Sequence, residues 1–175
     1  QLILDHKVSS MVGDRFVIRD HAETRILGGG RVLDPNGPKQ GKSRPGRLQW
    51  LSAMQISDHE LALHELLQNH QVVDLERFWR SRNQVNSAQT PTDSHGFSVK
   101  GKTFVVSEDH WTQACEQVFE LLGDFHRHAP TQPGLRAAEL INQCKPLLGT
   151  TLTQGVIVAL AKAQLIKEKE GFIRT

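Results

Sequence analysis

Cysteine is scarce in this chain. Cys115 and Cys144 are the only two in 175 residues, and they stand 29 positions apart with no C-x-x-C pair. That spacing offers neither a zinc finger nor a dithiol redox motif. Both cysteines fall on apolar helix faces, which predicts buried thiols in a reducing, cytoplasmic compartment. No apolar run approaches the roughly 20 residues that a membrane helix needs, so no membrane partner is expected. The N-terminus lacks the series of basic region, apolar region and small-residue cleavage site that marks a secretory signal. A large charge of either sign is lacking too. The formal net charge is +2 and the isoelectric point about 8.7, too mild to demonstrate nucleic-acid binding from the sum alone. No G-x-S-x-G elbow occurs, and no two carboxylates occupy an evident site. The chain is therefore not expected to be an enzyme.

Three motif-like stretches imitate chemistry and fail on mechanism. Asn36-Gly-Pro-Lys-Gln-Gly41-Lys42-Ser43 comes within one residue of a phosphate-binding loop. Asn36 replaces its first glycine, and Pro45 falls where a helix must present free amides to phosphate. His59-Glu60-Leu-Ala-Leu-His64 resembles H-E-x-x-H with one residue too many. A spacing of five separates the histidines around a helix, whereas ligands at four share a face. His126 and His128 end a helical pattern, where ring N–H groups suit the terminal carbonyls better than a metal. No cofactor and no metal is expected on this chain.

What is present is organised. With 38% hydrophobic and 23% charged residues the chain has apolar side chains enough for small cores. Leu2–Asp5 reads as a strand, and Arg15–Asp20 alternates with the two-residue period of a sheet. Thr24–Asp34 follows, its Gly28-Gly29-Gly30 triplet read as a glycine-rich turn that suits positive backbone angles or close packing. Residues 35–46 hold three prolines and three glycines and form a linker. A helix begins near Arg47 with Leu48, Leu51 and Met54 on one side. A second starts at Ser57 or Asp58 and buries Leu63, Leu66 and Leu67. A third starts near Asp74 with Leu75, Phe78, Trp79 and Arg82. Phe97–Val99 and Lys102–Val106 flank Lys100-Gly101 as a hairpin that sets Phe97 opposite Phe104.

Helices and then a hairpin recur. Trp111, Cys115, Val118, Leu122 and Phe125 share one helical face, and Pro130–Gly134 breaks it. Arg136–Gln143 and a helix from Thr150 or Thr151 follow. Leu165–Thr175 closes the chain as a second hairpin turning at Gly171. Three helices followed by a hairpin is the winged-helix order. The expected fold is mainly α with small β: tandem winged-helix domains at residues 47–107 and 108–175, after the 35–46 linker and the terminal strands, 1–34, of an incomplete β-barrel.

The residues that identify a family are the first. Asp14-Arg-Phe-Val-Ile-Arg-Asp20 and Ile26-Leu-Gly-Gly-Gly-Arg-Val-Leu-Asp-Pro35 resemble the end of the third β-barrel domain in the family of selenocysteine-specific translation elongation factors (SelB). The match continues through Arg47-Leu-Gln-Trp50-Leu-Ser-Ala53. This detailed resemblance covers about the first third of the chain, and architecture alone covers the rest. The resemblance implies a piece of a GTP-dependent factor that brings selenocysteinyl-tRNA to the ribosome. A hairpin in the selenoprotein mRNA then directs a UGA codon to be read as selenocysteine. It further implies that GTP and magnesium bind a nucleotide domain upstream of Gln1. The two units here would connect the tRNA-binding body to the hairpin-binding tip, as a cytoplasmic monomer. The alternative is a double winged-helix regulator that binds duplex DNA. It calls for a markedly basic recognition helix, whereas Thr150–Gln164 carries only Lys162 as a charge.

Candidate nucleic-acid contacts fall in two places. Lys39, Lys42, Arg44 and Arg47 cluster in the linker, where a solvated tether competes with RNA or ribosome phosphate contact. Thr151, Gln154 and Lys162 are candidates on the recognition helix, with Lys167 and Lys169 on the wing. Glu168 and Glu170 interleave with those lysines and are expected to repel phosphate. Trp50, Trp79 and Trp111 lie among apolar residues and read as core rather than as stacking platforms.

Overall fold

The computed structural model describes residues 2, 4–6, 8–37, 45–69, 71–84, 90–169 and 171–174, with Pro45 and Lys169 described as backbone. They form two compact units, Gln1–Pro91 and Thr92–Thr175.

In the first unit, strands β1 (Arg15–Arg19) and β2 (Ile26–Arg31) pair antiparallel with Phe16 opposite Gly30. The turn between them is made by Asp20, not by the glycine triplet. The Asp20 carboxylate accepts the Thr24 and Arg25 amides at 2.8 and 3.1 Å and the Thr24 hydroxyl at 2.9 Å. The Arg25 amide first, and the Thr24 hydroxyl next, hold that carboxyl below its ordinary value. Gly28–Gly30 lie within β2 and supply space instead of turning the chain. A Cβ on Gly29 would stand 2.6 Å from the Phe16 carbonyl oxygen, and one on Gly30 2.9 Å from the Phe16 ring. Leu2 and Leu4, expected in a strand, are outside any strand and exposed.

Helices α1 (Pro45–Met54), α2 (His59–Gln68) and α3 (Leu75–Ser81) follow, with a short extended β3 (Val73–Asp74) before α3. Asp58 caps α2 by accepting the Leu61 amide, and Asp74 caps α3 by accepting the Arg77 amide. Ala53, Met54, Leu63, Leu66, Leu67, Val73, Phe78 and Trp79 form the core. Leu48, expected to face inward, is 60% exposed. The sequence suggests that Phe16 and Ile18 seat the strands on the helices, but Ile18 is exposed and the Phe16 ring covers Gly30. Main-chain groups make the junction: the Val12 amide donates to the Ser81 carbonyl at 2.8 Å, and Arg77 donates to the Asn36 carbonyl.

The second unit contains the hairpin β4 (Ser94–Val99) and β5 (Lys102–Ser107) and the 21-residue helix α4 (Glu108–His128). Phe97 does pair with Phe104, and Lys100 and Gly101 both turn with positive φ. Strand β6 (Leu135–Arg136), helix α5 (Ala137–Lys162) and the hairpin β7 (Lys167–Lys169) and β8 (Phe172–Arg174) complete it, in a sheet of order β6-β8-β7. Helix α5 breaks at Gly149, whose φ of 73° and ψ of 163° are not helical, so it is two helices as the sequence predicts. By length and composition alone α5 could cross a membrane, which the absence of a single long apolar run does not reveal. Here Leu140, Cys144, Leu148, Leu152, Val156 and Leu160 are buried in the unit's own core.

The second compact unit holds the first hairpin together with α4 and α5. Phe97 explains why. Its ring stands 5.2 Å from that of Trp111 on α4. It also lies so close to α5 that a Cβ on Gly155 would meet it at 2.3 Å. An added methyl in a helix gains about 1 kcal/mol of propensity over glycine, while overpacking costs about 1–3 kcal/mol. At Gly155 the neighbour is a wedged aromatic ring, so Gly155→Ala should lower stability by about 1–2 kcal/mol. Gly123 on α4 has no neighbour nearer than the Arg127 guanidinium at 3.8 Å, so Gly123→Ala should raise stability by about 0.5–1 kcal/mol. Urea melts of the two variants check both signs.

Candidate nucleic-acid interface

The linker cluster is the first place to look for a phosphate contact. Lys39, Lys42 and Arg44 lie outside the described residues. Arg47 does not present a free cation: its guanidinium meets the Asp34 carboxylate at 2.6 Å, with the two side chains 16% and 10% exposed. The ion pair joins the segment after β2 to α1. Two further arginines of the helical region also have partners. Arg80 pairs with Glu76 one turn away. Arg82 is 6% exposed and lies over the Phe78 ring. It donates to the carbonyls of Ile56 and Met54 at 3.0 and 3.4 Å. Burial pushes its guanidinium below the usual range, and Asp58 opposes that. His59 Nδ1 stands 3.3 Å from the same guanidinium, a setting that disfavours a metal cation. Arg31, Arg82 and His59 border a cleft of about 520 Å³ whose remaining lining is mostly apolar, including Leu33, Met54 and Ile56.

The second unit brings cations together. Thr151 and Gln154, candidates on α5, are half-buried, whereas Lys162 at its end is exposed. Lys167 is exposed and pairs across the hairpin with Arg174; the Lys169 side chain lies outside the described residues. Directly paired strand residues project to the same face, and neighbours along a strand to opposite faces. Register therefore puts Lys167, Arg174, Phe172 and Arg136 on one face of the β6-β8-β7 sheet. Glu168 pairs with the buried Ile173 and belongs to the other face. The repulsion expected from Glu168 is corrected by this alternation; Glu170 lies outside the described residues. Arg136 and Arg174 escape a reading of the sequence by charge clusters. The hairpin register counted outward from Gly171 does find Arg174, but a two-residue strand such as β6 leaves no periodic signal for Arg136.

Lys167 and Arg174 also border a cleft of about 280 Å³ with His126, Gln132, Gln164 and Leu165. His126 and His128 each place Nδ1 2.8 Å from the carbonyl four residues back, Leu122 and Asp124, as helix-end histidines should. Among the described residues no group of three histidine, cysteine or acidic side chains could hold a metal. Trp79 and Trp111 are buried and Trp50 is half-buried. Burial raises the thiols of Cys115 and Cys144, with Glu108 and Glu116 adding to the effect at Cys115. Neither thiol has the depressed value of a nucleophile.

Residues 1–39 match the selenocysteine-specific elongation factor β-barrel domain, and residues 119–174 match the winged helix of elongation factor SelB. The chain belongs to the family of selenocysteine-specific elongation factors. The SelB-family protein of Escherichia coli (strain K12) is 21% identical over 99% of this chain and 28% of its own length. That of Haemophilus influenzae is 22% identical over 80% of the chain and 23% of its own length. The chain thus spans about a quarter of these SelB relatives. The crystal structure of a bacterial selenocysteine-specific elongation factor, EF-Sec, superposes with a TM-score of 0.58 at 16% identity, over 97% of this chain and 26% of that one. Its likeness establishes the shared fold of strands followed by winged helices.

Arg47 differs from the wing cations in what its loss should do. Arg47→Gln removes a charge-assisted hydrogen bond from a mostly buried pair, and should cost about 1–2 kcal/mol of stability. RNA affinity at 50 mM salt should stay within twofold. Urea melts and RNA titrations of the one variant read both quantities.

Proposed function

We propose that this chain is the connecting arm of a GTP-dependent translation elongation factor that inserts selenocysteine at UGA codons. The observation that carries the reading is the pairing of two family matches on one chain, barrel residues 1–39 followed by winged-helix residues 119–174. An arm must be fastened where it leaves the body. The Asp34–Arg47 ion pair, the Val12–Ser81 hydrogen bond and the Arg77–Asn36 contact do that within the first unit. In this reading 1–34 completes the barrel, 35–46 links it to the arm, and 47–107 and 108–175 are the two winged-helix domains. GTP and magnesium bind elsewhere in the full-length protein, and this chain holds no cofactor and performs no catalysis. Selenocysteinyl-tRNA, the ribosome and the selenoprotein mRNA hairpin are partners of the whole factor, which works in the cytoplasm as a monomer without a membrane. The exposed Val17, Ile26 and Leu27 on the paired strands support it, because a completed barrel would cover such a face.

A connecting arm carries weak, unselective RNA contacts and leaves hairpin selection to the tip. Titrating the chain with the selenoprotein mRNA hairpin, an unrelated RNA hairpin and duplex DNA should give the two RNAs within about threefold of each other. Binding should fall steeply between 50 and 200 mM salt. Tight, selective binding of the selenoprotein hairpin would put recognition in these two units and end the connector reading. A preference for duplex DNA would favour a transcription regulator.

A further inference from the structure

We propose that the outer face of the β6-β8-β7 sheet binds single-stranded RNA, with Lys167 and Arg174 on the phosphates and Arg136 and Phe172 as a stacking platform. The inference rests on the reading of the chain as part of a translation factor and names a site within it. Three observations converge. Pairing puts Lys167 beside Arg174 and Arg136 beside Phe172 in two adjacent rows of one face. The Arg136 guanidinium lies over the Phe172 ring, 5.4 Å from its centre, making a flat cationic surface. The cleft that Lys167 and Arg174 border is lined by His126, glutamines, prolines and Leu165, with no carboxylate.

The charge selects a polyanion, and the platform narrows it. Unpaired bases stack on aromatic rings and on guanidinium planes, whereas bases within a duplex have no free face. A lipid surface or an acidic peptide would use the cations and leave the ring without a role. The two rows lie two residues apart along β8, about 6.7 Å at the strand rise, close enough for neighbouring nucleotides of one strand.

The test uses the intact chain and a labelled single-stranded RNA of about 12 nucleotides, a length within the range of single-strand binding sites. The same RNA annealed to its complement and phosphatidylserine vesicles serve as competitors. Lys167→Glu with Arg174→Glu should weaken single-strand binding tenfold or more and reduce the salt slope by roughly 1.4, two phosphates' worth. Phe172→Leu, which keeps an apolar residue in place, should weaken it about fivefold. Arg127→Glu with Lys145→Glu, a matched change on exposed positions of α4 and α5, should leave it within twofold. Circular dichroism of each variant establishes that the fold is kept. Equal losses in the sheet and helix variants would overturn the site, because net charge alone would then be acting. Unchanged binding after Phe172→Leu, with duplex RNA or vesicles competing equally, would overturn the single-strand assignment. Binding by the parent chain that survives the wing reversal would overturn this site and leave the connector reading standing. No RNA binding at 50 mM salt would overturn the site as well, while the connector reading still stands or falls on hairpin selectivity.

Discussion

The approach of the Phe97 ring to Gly155 is the contact on which the second unit is organised. A hairpin has too little surface to be stable by itself. It is fixed where its side chains reach a core: Val105 and Val106 are fully buried, and Phe97 enters a space that a single hydrogen at position 155 leaves open. Around that contact Phe104 stacks on Phe97 at 5.8 Å, Trp111 lies tilted against it at 5.2 Å, and His95 lies flat on Trp111 at 3.9 Å. The first hairpin thereby shares a core with α4 and α5. Each hairpin brings a few apolar residues to a helix surface, and dispersion and hydrophobic burial accumulate through such close contacts rather than through any one large core.

Charge placement follows a similar economy in the two units, with different outcomes. In the first unit the described arginines of the helical region have local partners, Arg47 and Arg82 within the fold and Arg80 at its surface: Arg47 with Asp34, Arg77 with Asn36, Arg80 with Glu76, and Arg82 with the carbonyls of Met54 and Ile56. In the second, Lys167 and Arg174 stand side by side at the surface. A formal charge of +2 for the whole chain conceals this difference, because the field at a surface depends on which charges are neutralised locally and which share a face.

How much of this was legible in the sequence depends on the range of the interaction involved. Local rules worked where they applied. Asp58 and Asp74 cap their helices, Lys100-Gly101 turns its hairpin, and the helix-end histidines find their carbonyls. The break at Gly149 was legible for the same reason, since a glycine between two apolar periods is a local signal. Readings failed where a residue's role is set by a distant partner. The glycine triplet looks like a turn, but the crowding that requires it comes from Phe16 on the paired strand. Arg47 looks like a free linker cation until Asp34, thirteen residues earlier, is folded against it. Leu48 fits the apolar period of α1 and yet faces outward. The candidate interface was half legible: Lys167 was evident, while Arg136 depends on a strand of two residues and the harmlessness of Glu168 depends on register.

The junction in the first unit relies heavily on main-chain acceptors. Val12 binds the Ser81 carbonyl, Arg77 that of Asn36, and Arg82 those of Ile56 and Met54. A carbonyl oxygen is present whatever side chain its residue carries. In each such contact the acceptor position is free to vary, and in the Val12–Ser81 contact the donor position is too, since it is a main-chain amide: Ser81, Asn36, Ile56 and Met54 can be replaced without deleting the acceptor, provided the backbone keeps its path. Genetic drift therefore meets a joint with few points of failure, and relatives sharing about a fifth of their residues can keep the same fastening while nearly everything around it is rewritten.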